Sequence, residues 1–183
     1  MLDTYGQHSL SCEVGGGVNH RHNRVRDWLA SWISSCTGQH VLTEQFVPKW
    51  DRVVRRGGEQ IIERARLDVV FNDRHGRRAY VDVCIPTAAT TCPELARARA
   101  ARAGAAASRA EDQKRVRYNG PDLIPFAVEA LGRPGSSTLA LLRSLAPEEP
   151  SERSQVLGAA WQTLSVIIQL ENAELLMAAA TSR

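Results

Sequence analysis

Two short stretches with a period of two, joined by a turn-rich connection, constrain this chain most. In Leu67-Asp68-Val69-Val70-Phe71 the alternation puts Leu67, Val69 and Phe71 on one face and Asp68 on the other. In Tyr80-Val81-Asp82-Val83-Cys84-Ile85, Val81, Val83 and Ile85 share an apolar face, while Asp82 and Cys84 point away. The link Asn72-Asp73-Arg74-His75-Gly76 is turn chemistry and is short. Strands over 66–71 and 79–85 therefore pair antiparallel and bring the two aspartates near each other.

The rest of the chain supplies helices and further strands. Val25, Trp28, Leu29, Trp32 and Ile33 recur at three- and four-residue spacings, which predicts an amphipathic helix over 23–36 ended by Gly38. A strand is expected over 41–47, stopped by Pro48. Residues 48–60 are basic and contain Gly57-Gly58, which suits a loop or the hairpin arm of an edge strand. An alanine- and arginine-rich helix is expected over 94–118, tolerating Gly104 and stopped by Asn119-Gly120-Pro121. A strand over 123–131, a turn at Gly132-Arg133-Pro134-Gly135, and helices over 137–145 and 152–179 complete the order.

Charge is unevenly spread. The net charge is only +3, but residues 1–146 hold 21 of the 23 cations against 15 acids, while the segment from Pro147 holds two cations and five acids. Such polarity points to a polyanionic partner for the first three-quarters of the chain. Arg21, Arg24 and Arg26 near the first helix, and Arg52, Arg55 and Arg56 beyond the first strand, are candidate phosphate contacts, with solvated surface as the competing account. The acidic last helix reads as a packing or homodimer surface, core burial being the usual fate of its apolar stripe. No run of eighteen apolar residues and no secretory leader are evident, so a membrane role is not expected. Cys12, Cys36, Cys84 and Cys92 show no disulfide or complete zinc spacing, and Cys36 and Cys84 read as small buried hydrophobes.

The aspartate pair leaves two readings open. An antiparallel sheet with one solvated face carries polar residues outward as a matter of course. Two carboxylates held together also form an oxygen-rich site for magnesium or manganese, which suits phosphodiester hydrolysis. Lys114 adds a third group: it shares a helix face with Tyr118, and near a metal it could orient water or stabilise charge on a phosphate, the alternative being a solvated helix face.

Arg66-Leu67-Asp68, Tyr80-Val81-Asp82-Val83 and Lys114-Arg115-Val116-Arg117-Tyr118 together resemble the restriction-like, PD-(D/E)xK endonuclease domain of site-specific non-LTR retrotransposons. Arg21-His22-Asn23 resembles that family's upstream basic motif, and Pro125-Phe126-Ala127-Val128-Glu129 with Gly132 resembles its closing strand. Gly6-Gln7-His8-Ser9-Leu10-Ser11-Cys12 resembles the end of the zinc knuckle that precedes it. The resemblance covers about residues 6–135. It implies an α/β, restriction-endonuclease-like αβββαβ core, with a mixed central sheet flanked by helices and a C-terminal helical extension. It further implies a DNA endonuclease using Mg2+ or Mn2+, with Asp68, Asp82, Lys114 and Tyr118 catalytic, Asp68, Asp82 and Glu44 on the metal, and Arg21, His22, Arg24, Arg26, Arg52, Arg55, Arg56 and Arg115 on double-stranded DNA. The implied role is nuclear, nicking a target so that the freed 3′ hydroxyl primes reverse transcription by a reverse transcriptase domain or element RNA–protein complex.

The departures are specific. Leu67 stands where the family has proline, and Cys84 occupies the position two after the second acid where many relatives carry lysine, which leaves Lys114 as the candidate. Glu44 is the nearest candidate for the acid found near the first helix in relatives. His8 and Cys12 alone cannot hold a tetrahedral zinc, so none is expected. The organisation expected is a knuckle-like remnant over 1–20, a nuclease core over 21–135 and helices over 136–183, either a fragment of a larger protein or a decayed copy. Rival readings are a non-catalytic DNA-binding module, a Holliday-junction-resolvase-like nuclease and a purely structural interaction domain.

Overall fold

The computed structural model describes residues 8–11, 16–88, 90 and 92–181. Cys12, with most of the knuckle-like segment, lies outside them. Helix α1 (Gly17–Thr37) buries Val25, Leu29 and Ile33, one residue every four, and closes on Gly38, whose N–H reaches Ser34 O at 2.8 Å. It begins six residues before the expected start, because Arg21 lies on the same stripe and is itself buried.

A four-stranded sheet has the order β1 (Leu42–Phe46), β4 (Arg66–Asn72), β5 (Arg78–Cys84), β6 (Leu123–Ala127). The first three strands are antiparallel neighbours and β6 runs parallel to β5, so the sheet is mixed and the fold is α/β. Between β1 and β4 the chain makes a short 3-10 turn, Pro48–Trp50, and then a separate hairpin of β2 (Arg52–Arg56) and β3 (Glu59–Glu63). The basic stretch 48–60 is thus only part of an arm that continues to Glu63.

Helices cover both faces. On one, Val69, Phe71, Val81, Val83 and Phe126 pack with Val25, Leu29 and Ile33 of α1, Leu141, Leu142 and Leu145 of α4 (Ser136–Leu145) and Leu164 and Ile168 of α5 (Pro150–Thr181). The C-terminal helices therefore complete the same core as the sheet. Although α5 is long and apolar enough to cross a membrane, against the expectation from composition, its Leu164 and Ile168 are buried in that core. On the other face, Val70 packs with Val47, Trp50, Ala65, Tyr118 and Leu123, and Ala107 and Ala110 of α3 (Ala105–Arg117) pack on Ala127 beside Cys84. Leu67 joins this second cluster rather than Val69 and Phe71, because the root of the hairpin, Val47 and Ala65, closes over the start of β4.

The single helix expected over 94–118 is two, α2 (Pro93–Ala101) and α3. Gly104 breaks it with φ 74°, a left-handed conformation that glycine adopts without steric cost. The carboxylate of Glu129, arriving from the end of β6, accepts the Ala106 and Ala107 N–H groups at 3.1 and 3.3 Å and so fixes where α3 starts. Strand β6 likewise stops at Ala127, four residues before the expected end. The chain there turns back on itself, with Gly132 N–H on Glu129 O and Glu129 N–H on Arg133 O, both at 2.7 Å.

Candidate active site

Register brings Asp68 and Asp82 together. The β4–β5 ladder pairs Val69 with Val81, and one step further the Asp68 carboxylate takes the Val83 N–H at 2.6 Å. Both aspartates are buried, 8% and 5% exposed, and do not look out from a solvated sheet face. Helix α3 crosses that face and delivers Lys114, whose Nζ lies 2.6 Å from Asp82 Oδ2. That ion pair is the contact Oδ2 makes in an otherwise buried setting. From the opposite side α1 delivers His22, whose Nε2 lies 3.2 Å from both Asp68 Oδ2 and the Val83 carbonyl oxygen.

The four groups differ electrostatically. Burial opposes charge on Asp68, but the His22 hydrogen bond and charge together with the Val83 N–H outweigh it, and the acid sits below its usual range. Burial likewise opposes charge on His22, and Asp68 more than compensates, raising it. Burial pushes Asp82 up to about 6; Lys114 pulls it down and the neighbouring Asp68 pushes it further up. Lys114 is raised because the attraction of Asp82 exceeds the burial penalty. Two carboxylates in one place with separated proton affinities are the arrangement that acid–base and metal sites use. Cys84, partly buried beside Ala107 and Ala110, is pushed by burial up to about 12 and stays a thiol.

The remaining candidates divide. Tyr118 caps α3 and packs against Trp50, ring centroids 5.6 Å apart; burial raises its pKa first and the Asp82 charge second, so it walls the site and is not bonded to it. Glu44 shares a cleft of about 610 Å3 with His22 and Asp68, but Arg26 and Arg66 engage its carboxylate, the latter at 2.7 Å. Expected as a metal ligand, it stands on the cleft wall as the anchor of these two arginines. A second cleft, about 410 Å3, opens at the turn end of β4 and β5 between Arg74, Arg78 and Leu145 and contains none of these side chains.

Among the proposed DNA contacts, Arg21 is corrected outright. It is 1% exposed, donates to Asn172 Oδ1 at 2.7 Å and Leu10 O at 2.9 Å, and ties α1 to α5. Arg24 pairs with Glu171 at 3.4 Å, and Arg26 is largely buried against Asp27, Asn23 and Glu44. Arg115 is held by Asp112 and Ser137. Arg52 pairs with Glu63 at 2.8 Å, while Arg55 and Arg56 stand exposed on the hairpin. His22 moves from the DNA surface to the site itself. The signal was available, since His22 adjoins Arg21 and lies three residues before Val25, beside the buried stripe of α1.

Arg21→Ala is therefore expected to lower stability by about 3 kcal/mol, since it strands Asn172 in the interior. It should leave the salt dependence of any DNA affinity unchanged, as measured by thermal melting and by binding at several salt concentrations. Compared with protein-family models and with curated proteins, the chain matches none.

Proposed function

We propose that the chain is a metal-dependent DNA endonuclease built on a restriction-endonuclease-like core. The observation that carries this reading is the meeting of Asp68, Asp82 and Lys114 from β4, β5 and α3. The element order supports it, because a helix, three antiparallel strands, a helical crossover and a parallel strand make the αβββαβ series, with β2–β3 and α2 as additions. Lys114 supplies from the helix the ammonium that Cys84 cannot supply from the strand.

The residues fit a hard divalent cation such as Mg2+ or Mn2+. Asp68, Asp82 and the Val83 carbonyl offer oxygen donors, and the two buried carboxylates lie side by side with Lys114 as the cationic partner of Asp82. When bound, such an ion supplies Lewis acidity toward a phosphodiester and lowers the pKa of water. The protein's own groups do the positioning. His22 and the Val83 N–H fix the Asp68 carboxylate, and Asp82 holds Lys114 charged where negative charge develops on a phosphate. Asn19, Asn23, Arg26 and Arg66 line the open cleft beside Asp68, where Glu44 holds the two arginines at its wall. By the same resemblance, the role is nicking of a nuclear DNA target to prime reverse transcription by a partner enzyme.

Incubation of the intact chain with supercoiled plasmid and magnesium tests the reading. Nicking is expected in the wild type, absent on chelation, and lower by about two to three orders of magnitude in Asp68→Ala and Lys114→Ala. Equal nicking by all three, or none by the wild type with either metal, would overturn it.

A further inference from the structure

The β2–β3 hairpin is the one sheet among the described residues that pairs with no other strand. Its Gly57-Gly58 loop has φ 61° and 89°, the paired positive values that a tight two-residue turn between twisted strands requires. Its root is firmly held. Asp51 Oδ1 accepts the Ala65 N–H at 2.7 Å, Arg117 donates to Trp50 O at 2.9 Å, and Trp50 donates to Asn119 O at 2.8 Å. Four residues separate the end of β3 from Asp68, so the arm springs from the rim of the proposed active site.

Its two faces differ. Cross-strand partners share a face, so one face carries Arg52 opposite Glu63, Val54 opposite Ile61 and Arg56 opposite Glu59, with each arginine balanced by an acid. The other carries Val53 opposite Ile62 and Arg55 opposite Gln60, with no carboxylate. Val53 and Ile62 are 63% and 65% exposed, so this is an unpartnered face with a positive tip and an apolar base. Arginine and glutamine are the side chains whose forked groups match guanine and adenine edges, and small branched apolar groups match the thymine methyl. A two-stranded ribbon has the width of the B-form major groove, whereas the deep, narrow A-form groove excludes it.

We propose that the β2–β3 hairpin is a groove-reading arm that lays its Val53–Ile62 and Arg55–Gln60 face into the major groove of duplex DNA. The proposal rests on the DNA-cleavage reading above for its partner and adds the source of sequence preference. Duplexes bound by the full chain, selected from a random pool in EDTA, test it. The wild type is expected to enrich a short motif. Arg55→Ala and Gln60→Ala, both at exposed positions and checked for unchanged melting, should each weaken preference about tenfold or more at one or two base positions. Enrichment of no motif, or of an unchanged motif by both variants, overturns the arm; if the wild type nicks plasmid all the same, the cleavage reading survives. Loss of the motif in the variants alongside a wild type that never nicks supports the arm and removes the cleavage reading. A concentration-dependent dimer abolished by Ile62→Arg, with DNA selection untouched, assigns the face to a second copy of the chain and overturns the arm.

Discussion

Asp82→Asn is expected to nick plasmid two to three orders of magnitude more slowly than the wild type, yet to melt at a higher temperature at pH 7 without metal. The first effect follows from removing a carboxylate that the proposed chemistry requires. The second follows from burial. Asp82 is 5% exposed, and desolvation, against the pull of Lys114 and with the push of Asp68, raises its pKa to about 6 from the ordinary carboxylate range. A group whose pKa is raised by folding contributes stability below its unfolded value and loses that contribution as pH rises through the folded value. For Asp82 the loss runs from about pH 4 to about pH 6 and is complete at neutrality, on the order of 3 kcal/mol. Asparagine keeps the shape without the charge. Calorimetric melting of both chains should show no difference near pH 4, a gap opening between pH 4 and 6, and a constant gap above. A variant less stable than the wild type at every pH would mean that the Lys114 ion pair outweighs burial, contrary to this account.

The second large effect is structural. Glu111 is 1% exposed, and its carboxylate accepts the Ser137 N–H at 2.9 Å, the Ser136 hydroxyl at 3.1 Å and the Thr138 N–H at 3.4 Å, at the first turn of α4. It thereby satisfies donors that a helix start leaves unpaired and sets a negative charge at the positive end of its dipole. Glu111→Ala is expected to cost about 3 kcal/mol and to lower the melting temperature by roughly 10 °C. Glu111→Gln, which retains one acceptor, should recover part of that. Gly135 belongs to the same device: a Cβ there would lie 2.1 Å from Glu111 Oε1, so Gly135→Ala should displace the carboxylate and reproduce much of the loss. A melting temperature unchanged in Glu111→Ala would show that α4 is held by its apolar face alone.

The parts legible in the sequence are those governed by local periodicity. Val69, Phe71, Val81 and Val83 follow a period of two into the core, and the same phase puts Asp68 and Asp82 together. Val25, Leu29 and Ile33 mark α1 in the same way. What escaped depends on contacts distant in the chain. Arg21 stands four residues before Val25 and completes that stripe, but a guanidinium is buried only because Asn172, 151 residues away, receives it. The start of α3 is decided by Glu129 and the start of α4 by Glu111, across more than twenty residues in each case, so no local capping signal announces either. The second strand of the hairpin, Glu59-Gln60-Ile61-Ile62-Glu63, has no alternation, because it faces no core. Nothing local to Glu44 announces that Arg26 and Arg66, from two other elements, engage its carboxylate.

The central claim is that Asp68 and Asp82 share one divalent ion. Titration of the intact chain with Mn2+, followed by electron paramagnetic resonance, addresses it directly. The account predicts one bound ion in the wild type, lost in Asp68→Asn and in Asp82→Asn alike, and retained in Glu171→Gln, which disturbs the separate His20, Glu171 and Glu174 cluster. Equal Mn2+ affinity in both aspartate variants, or a bound ion lost only with Glu171, would contradict it.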